Sequence, residues 1–480
     1  MGEPQIRRRL GVMYPLLVGL PVTVVAVVLW TGPRLAAPAA VTAADHAVAL
    51  ATPASAGVMA STLMVQLALI LLAASIVRAL FHQLRQPLVV GEMVAGILLG
   101  PSLLGWIAPG AFAFVFPAGG AGALHALGQL GVLLLMLLVG LSVDTRQLKA
   151  HSHAAVLTSH VSIVVPFALA SLLAVALYPR FAGEGATFVA FSLFVGAAMS
   201  VTAFPVLARI LKEYGLLESR VGTLALASAA VDDVTGWCIL AYVLALVRAG
   251  QAGGRLVTTV IGCGLFVALM IGVVRPAVAG LLGYMARRAR SDEEHALVLI
   301  LLALCSALAT EWLGLHLVFG AFVAGAIVPR DSARVQRVAA RLELLTVVLL
   351  LPIYFALTGL RTTVGLLAGA GTWAYCAVIV LAAIAGKLGG CVTAMRCSGS
   401  DWRTAAAVGT LMNTRGLMEL VILNIGLDSG VISSSLFTMM VLMAVATTMM
   451  TGPLLQMIYP ASSARCLVLP DELRARMQRA

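Results

Sequence analysis

Glu218–Val247, ESRVGTLALASAAVDDVTGWCILAYVLALV, is a run long and apolar enough to cross a bilayer with tilt, and it carries two adjacent acids, Asp232 and Asp233, at its middle. A charged side chain at mid-membrane costs about 2.5–3.5 kcal/mol on insertion scales and more in simulation. Two in a row line a pathway, bind a cation or pair with a buried base. The structural alternative is an ion pair that only fixes helix register.

The rest of the chain has the composition this segment needs. Of 480 residues, 61% are hydrophobic and 11% charged, and the mean hydropathy is +1.04. That is a polytopic, all-α membrane protein. Runs of about twenty apolar residues fall at 10–30, 59–82, 86–107, 122–143, 153–178, 186–208, 218–247, 255–284, 292–311, 314–329, 344–360, 370–395, 402–426 and 432–458. With an inside N-terminus carrying Arg7, Arg8 and Arg9, inside loops and tails hold 20 Lys and Arg and outside loops hold 5. This bias supports both the span count and a cytoplasmic placement of both termini in a cell inner (plasma) membrane. It also explains the net charge of +11 without nucleic acid.

The seven cysteines show no CxxC and no paired spacing, so neither a disulfide framework nor a metal site is implied. Arg7–Arg9, the apolar run and LAAPAAVTAADHA also read as a cleavable signal, which leaves thirteen spans; retention is favoured because the run is long for a signal core. The expected division is an N-terminal helix and outside loop at 1–58, a transmembrane domain at 59–460 and a short tail at 461–480. The tail contains no GxGxxG, so no nucleotide-binding regulatory domain is expected there.

LVVGEMVAGILLGP (88–101) is echoed by LVFGAFVAGAIVP (317–329), and LLVGLSVD (137–144) more weakly by FALTGLRT (355–362). Matched members cross in opposite directions, so the repeats are inverted, a transporter architecture with its site at mid-membrane. Two spans also look broken. In FVGAAMSVTAFPVLARIL, Pro205 removes an amide hydrogen and Ser200 and Thr202 supply hydroxyls. An interrupted helix exposes carbonyls that suit a cation, and the alternative is an ordinary proline kink. In GTLMNTRGLMELVILNIG, polar groups crowd at Asn413, Thr414, Arg415, Gly416 and Glu419. Arg415 either pairs with Glu419 at helical spacing or, with the backbone unwound at Asn413–Gly416, brings positive charge to the crossing point. Lys387 seeks a carboxylate, with the aspartates as candidates, or snorkels. Glu92, near the start of its span, is either a gate or a packed acid.

SVTAFPVLARIL, AAVDDVTGW, GTLMNTRGLMELVILNIG and RQPLVVGEMVAGILLGPSLLG together resemble the cation:proton antiporter-2 superfamily over residues 60–460. That group includes bacterial sodium/proton antiporters, plant cation/proton exchangers and the membrane part of potassium efflux systems. The resemblance implies a sodium/proton antiporter-like fold with two crossing broken helices. It further implies a homodimer in the lipid bilayer, whose core (about 153–247 and 370–458) moves as an elevator against a scaffold. By position, Asp233 resembles the ion- and proton-binding carboxylate, Asp232 the preceding acid, and Lys387 its partner; Thr202 falls in the first unwound segment. An intact Asp-Asp with Lys387 is associated with electrogenic sodium/proton exchange. No cofactor is implied beyond the transported cation and the proton. Set against the plant and potassium-efflux members, the short stretch after residue 460 leads to the expectation that their large cytosolic domain is not part of this sequence.

Exchange also follows from the residues. Asp233 holds a proton or a desolvated monovalent cation but not both, and competition with alternating exposure is antiport. The rival readings are a sodium-coupled organic solute transporter, drug or ionophore efflux on the same scaffold, an intramembrane protease and a channel. Neighbouring Asp232 and Asp233 point to different sides of one helix, which disfavours an aspartyl protease dyad. No carbonyl filter such as TVGYG is present.

Overall fold

The computed structural model describes residues 14–32, 56–84, 86–117, 122–142, 153–184, 186–217, 219–251, 255–288, 290–313, 316–329 and 332–459. Arg7–Arg9, most of the expected outside loop, Asp144 and the tail at 461–480 lie outside these residues. Among the described residues, twelve helices are long and apolar enough to cross a membrane, and two further apolar helices are shorter. Together these account for the expected spans.

In chain order the membrane helices are α1 (Pro15–Thr31), α2 (Ala56–Gln83), α3 (Leu88–Leu99, its span completed by a short helix at Leu104–Ile107), α4 (Gly122–Ser142), α5 (His153–Phe181) and the broken α6, split into α6a (Phe188–Ser200) and α6b (Phe204–Glu213). Next come α7 (Arg220–Gln251), α8 (255–287), α9 (Asp292–Trp312), α10 (Leu317–Ile327) and α11 (333–360). The series ends with α12 (Ala370–Cys397), the broken α13 as α13a (Trp402–Met412) and α13b (Leu417–Asp428), and α14 (Ser434–Ile458). Side-chain caps mark the starts: Thr187 before α6a, Ser291 before α9, Asp401 before α13a and Ser433 before α14 each accept a first-turn amide.

The repeat motifs are cross-paired. α3, which carries the first G-x-x-V-A-G, packs on α11 from the second repeat, and α10, which carries the second, packs on α4 from the first. The glycines make this contact possible. A Cβ at Gly96 would lie 2.2 Å from the Phe355 carbonyl oxygen, and one at Gly325 would lie 2.1 Å from that of Leu137. The partner glycines are equally tight: a Cβ at Gly359 would fall 2.0 Å from the Gly96 carbonyl, and one at Gly140 would fall 2.1 Å from that of Phe322. With no hydrophobic drive between helices in lipid, such backbone approach is what supplies the packing energy.

A second group forms around α5, which packs on α1, α6a, α7 and α12, while α13a packs on α7, α12 and α14. At one end of this group Ala182 and Ile432 form an antiparallel bridge, with Ser433 donating its amide to the Phe181 carbonyl at 3.0 Å. That tie joins the end of α5 to the turn after α13b.

Candidate site at the crossing of the broken helices

Both interruptions expected from sequence are present. Between α6a and α6b, Val201 is extended (φ −72°, ψ 138°) and Pro205 lies in the first turn of α6b, where its missing N–H costs nothing. Between α13a and α13b, Asn413 ends the first half and Gly416 adopts φ 156°, a backbone state that side chains rarely take. The Ala203 amide donates to the Thr414 carbonyl at 3.2 Å, so the two breaks bond directly to each other.

An α-helix leaves its last four carbonyls without helical partners, and all four are accounted for at the end of α6a. The Ala197 carbonyl accepts the Ser200 hydroxyl at 3.0 Å, and that of Ala198 accepts Arg415 Nη1 at 3.2 Å. Met199 O accepts Arg415 Nη2, and Ser200 O accepts Lys387 Nζ. Two buried cations therefore sit on the negative end of this half-helix. The carbonyls expected to be open to a cation are in use, and the Ser200 hydroxyl is turned back to its own helix.

Asp232 is saturated. Its Oδ1 accepts Ser159 Oγ at 2.7 Å, and Oδ2 lies 2.6 Å from Ser162 Oγ, 2.9 Å from Thr202 Oγ1 and 3.0 Å from Lys387 Nζ. Thr202 Oγ1 also approaches the Met412 carbonyl at 3.2 Å, tying the acid to the second break. Lys387 is fully buried, which rules out snorkelling. Its three ammonium protons meet three acceptors: Asp232 Oδ2, the Ser200 carbonyl and, at 3.0 Å, the Ser162 carbonyl.

Proline chemistry supplies the last of these acceptors. Pro166 lies four residues after Ser162 inside α5, so the amide that would have bonded the Ser162 carbonyl does not exist. Lys387 itself lies in a π-turn, Ala385–Gly389, a local widening frequent at functional sites. Gly386 brings that turn against α5, since a Cβ there would lie 2.9 Å from Pro166 Cα.

Asp233 is the opposite case. It is buried beside Asp232, yet neither carboxylate oxygen has a side-chain partner, and the donor that faces it is the Phe204 amide at the start of α6b. Asn413 Oδ1 and Thr414 Oγ1, both in the second break, are likewise buried without partners. Arg415 combines the two alternatives left open by sequence. Its Nη1 is 3.6 Å from Glu419 Oε2 while the same guanidinium caps α6a. Glu92 lies apart from this cluster, paired with Arg209 at 3.4 Å and Arg78 at 3.5 Å.

Five charged side chains thus meet inside the protein: Asp232, Asp233, Lys387, Arg415 and Glu419, all essentially inaccessible. Lys387 balances Asp232 and Arg415 balances Glu419. With every group in its ordinary ionic form the cluster is one positive charge short, and the shortfall lies at Asp233. Sequence reading missed Ser159, Ser162 and Pro166; their only signal was a polar face, S-x-x-S, four residues before a proline within an apolar span.

Comparison with known proteins gives the family. The family model described as "Sodium/hydrogen exchanger, transmembrane" matches residues 68–459. The chain belongs to that family. It is accordingly a multi-pass membrane transporter and not an enzyme. The exchanger is 42% identical over 389 residues to the Na(+)/H(+) antiporter NhaS4 of Synechocystis sp., an alignment covering 81% of this chain and 95% of that one. It is 36% identical over 408 residues to the K(+)/H(+) antiporter 1 of Saccharomyces cerevisiae, covering 83% of this chain but 46% of the yeast protein. The sodium proton antiporter MjNhaP1 of Methanocaldococcus jannaschii shares the fold, with a TM-score of 0.55 at 15% identity, covering 85% of this exchanger and 99% of that chain.

Proposed function

We propose that this exchanger is a secondary antiporter that trades a monovalent cation for protons, with Asp233 as the shared site. The observation that carries the reading is that no side chain bonds either Asp233 oxygen, in a buried cluster one positive charge short. An isolated carboxylate away from water is too costly to leave uncompensated. A single proton or a single monovalent cation supplies what is missing, and either excludes the other. Asn413 Oδ1 and Thr414 Oγ1, two neutral unpartnered oxygens of the second break, are the ligands that would replace water around the cation. Lys387 supplies the counter-charge of Asp232, and three hydroxyls surround its oxygens.

In this reading the packing group around α5 (about 153–247 and 370–458) is the core that carries the site. The cross-paired helices are the scaffold, and the core moves against it to expose Asp233 to one side at a time. The functional unit is a homodimer in a cell inner membrane with cytoplasmic termini. The intact Asp232–Asp233–Lys387 set favours sodium and electrogenic exchange, with lithium or potassium as competing cargo.

The test is cation-induced pH change in proteoliposomes, comparing Na⁺, Li⁺, K⁺ and choline, with Asp233→Asn beside the natural protein. A cation-specific signal that vanishes in folded Asp233→Asn is expected. Full activity in that variant ends the reading, and no response to any cation from folded natural protein moves it to an organic solute on the same fold.

A further inference from the structure

Two ion pairs outside the site connect the core group to the scaffold, and they grip opposite halves of the two broken helices. At one end Arg209, on α6b, reaches Glu92 Oε1 on α3 at 3.4 Å; Arg78 of α2 approaches the same oxygen at 3.5 Å, and Glu213 steadies Arg209 from its own helix at 3.5 Å. At the other end Arg361, just past α11, donates to Asp428 Oδ1 at 2.8 Å and to Asn424 Oδ1 at 3.0 Å, both on α13b. The Asn424 amide in turn donates to Tyr354 Oη and Thr358 Oγ1 of α11, each at 3.1 Å.

The scaffold sides of the two clusters share one support, because α3 and α11 are the glycine-paired helices described above. The core sides are α6b and α13b, the outer portions of helices whose inner ends cross beside Asp233. Glu92 is buried, with its second oxygen unpartnered. The Arg361 cluster lines a cleft between scaffold and core, together with Val421 and His125. Both clusters are engaged while Asp233 is inaccessible.

We infer that the Glu92–Arg209 and Arg361–Asp428–Asn424 clusters are reciprocal latches, positioning residues that decide which face of the exchanger opens. The inference rests on the core-against-scaffold motion proposed above. Movement that opens the cleft must part Arg361 from Asp428 while α6b stays seated on Glu92; opening the opposite face reverses the two. A ligand or mutation shifts such an equilibrium only through contacts that differ between the states, and these pairs are contacts of that kind. Weakening one latch therefore favours opening at its own end. Neither latch touches Asp233, so exchange survives the loss of either.

The test uses the full chain in nanodiscs, where both faces meet the same solution. Val421→Cys in the cleft is labelled with N-ethylmaleimide and its rate is read by mass spectrometry of the peptide. Asp428→Asn is expected to raise the rate about five- to tenfold, the size of shift that one differential contact gives. Glu92→Gln is expected to lower it, with Arg209→Gln as a second variant of the same latch. Unchanged rates in folded variants, or rates that move in the same direction for both latches, overturn the inference. Labelling needs no transport, so rates that respond as expected in a protein without cation-dependent proton movement would sink the antiport reading and leave the latches standing.

Discussion

The Asp232–Lys387 pair offers the sharpest quantitative check. Replacing Lys387 with Ala removes an ammonium whose three protons are bound to Asp232, the Ser162 carbonyl and the Ser200 carbonyl. Asp232 keeps its three hydroxyl donors but loses its counter-charge in a fully buried setting. Breaking a buried pair by removing one partner costs about 3–5 kcal/mol. The Ser162 carbonyl cannot recover a helical partner because Pro166 has no amide hydrogen, and that stranded acceptor accounts for about 1–3 kcal/mol of the loss. Replacing both members, Lys387→Ala with Asp232→Asn, removes the isolated charge and leaves only the carbonyls unserved. The double variant is therefore expected to recover at least about 2 kcal/mol relative to the sum of the singles. Unfolding of the detergent-solubilised exchanger, for the natural protein, both singles and the double, closes the cycle. A loss below about 1 kcal/mol in Lys387→Ala, or strict additivity in the double, would refute the reasoning.

Other outcomes follow from separate parts of the structure. The competition proposed at Asp233 requires the apparent KM for the cation to rise as pH falls, by up to about tenfold per pH unit for one proton, with the maximal rate held; initial rates across a pH series check this, and a pH-independent KM contradicts it. Gly325→Ala puts a methyl group 2.1 Å from the Leu137 carbonyl oxygen. It should cost about 1–3 kcal/mol by forcing α10 from α4, measured as loss of monodisperse protein on heating. Asp401→Ala removes the cap that accepts the Thr404 amide at 3.0 Å and should cost about 1 kcal/mol. Hydrogen bonds from Thr404 hold this carboxyl below its ordinary value of 3.8, so the cap's contribution is complete above that pH and fades only as pH falls below it. Unfolding at neutral and acid pH reads both, and an equal loss at every pH argues against the ionised cap.

What was legible in the sequence had a cost that local chemistry could not hide. Two adjacent acids in an apolar run, a proline after Ser200–Thr202, and Asn413–Gly416 with an arginine all declare themselves against a hydrophobic background. The cross-paired glycines were visible as a repeat, though not as a contact. Which acid is free was legible only through the family resemblance, which made Asp232 the partner of Lys387, and not from the residues themselves. Asp232 and Asp233 differ by one helical position, and the difference is created by Ser159, Ser162 and Lys387, which come from distant helices. Pro166 carried no signal of its own in an apolar span; its role appears only when Lys387 from α12 arrives at the carbonyl it vacates. Glu92 was equally open, because a buried acid is a gate or a packing group according to what faces it, and Arg209 belongs to another part of the chain.

The cross-pairing of glycines has a consequence for how the chain is made. α3 and α4 emerge from the ribosome early, but the surfaces carrying Gly96 and Gly140 are shaped to receive Gly359 and Gly325. Neither half of the exchanger can complete its own scaffold. Helices of the first half must wait in the bilayer with backbone-deep grooves filled by lipid until α10 and α11 are synthesised and displace it. Truncated chains ending before α10 should therefore insert yet stay loose and open to quality-control proteases, and co-expressing the missing half as a separate polypeptide should rescue them.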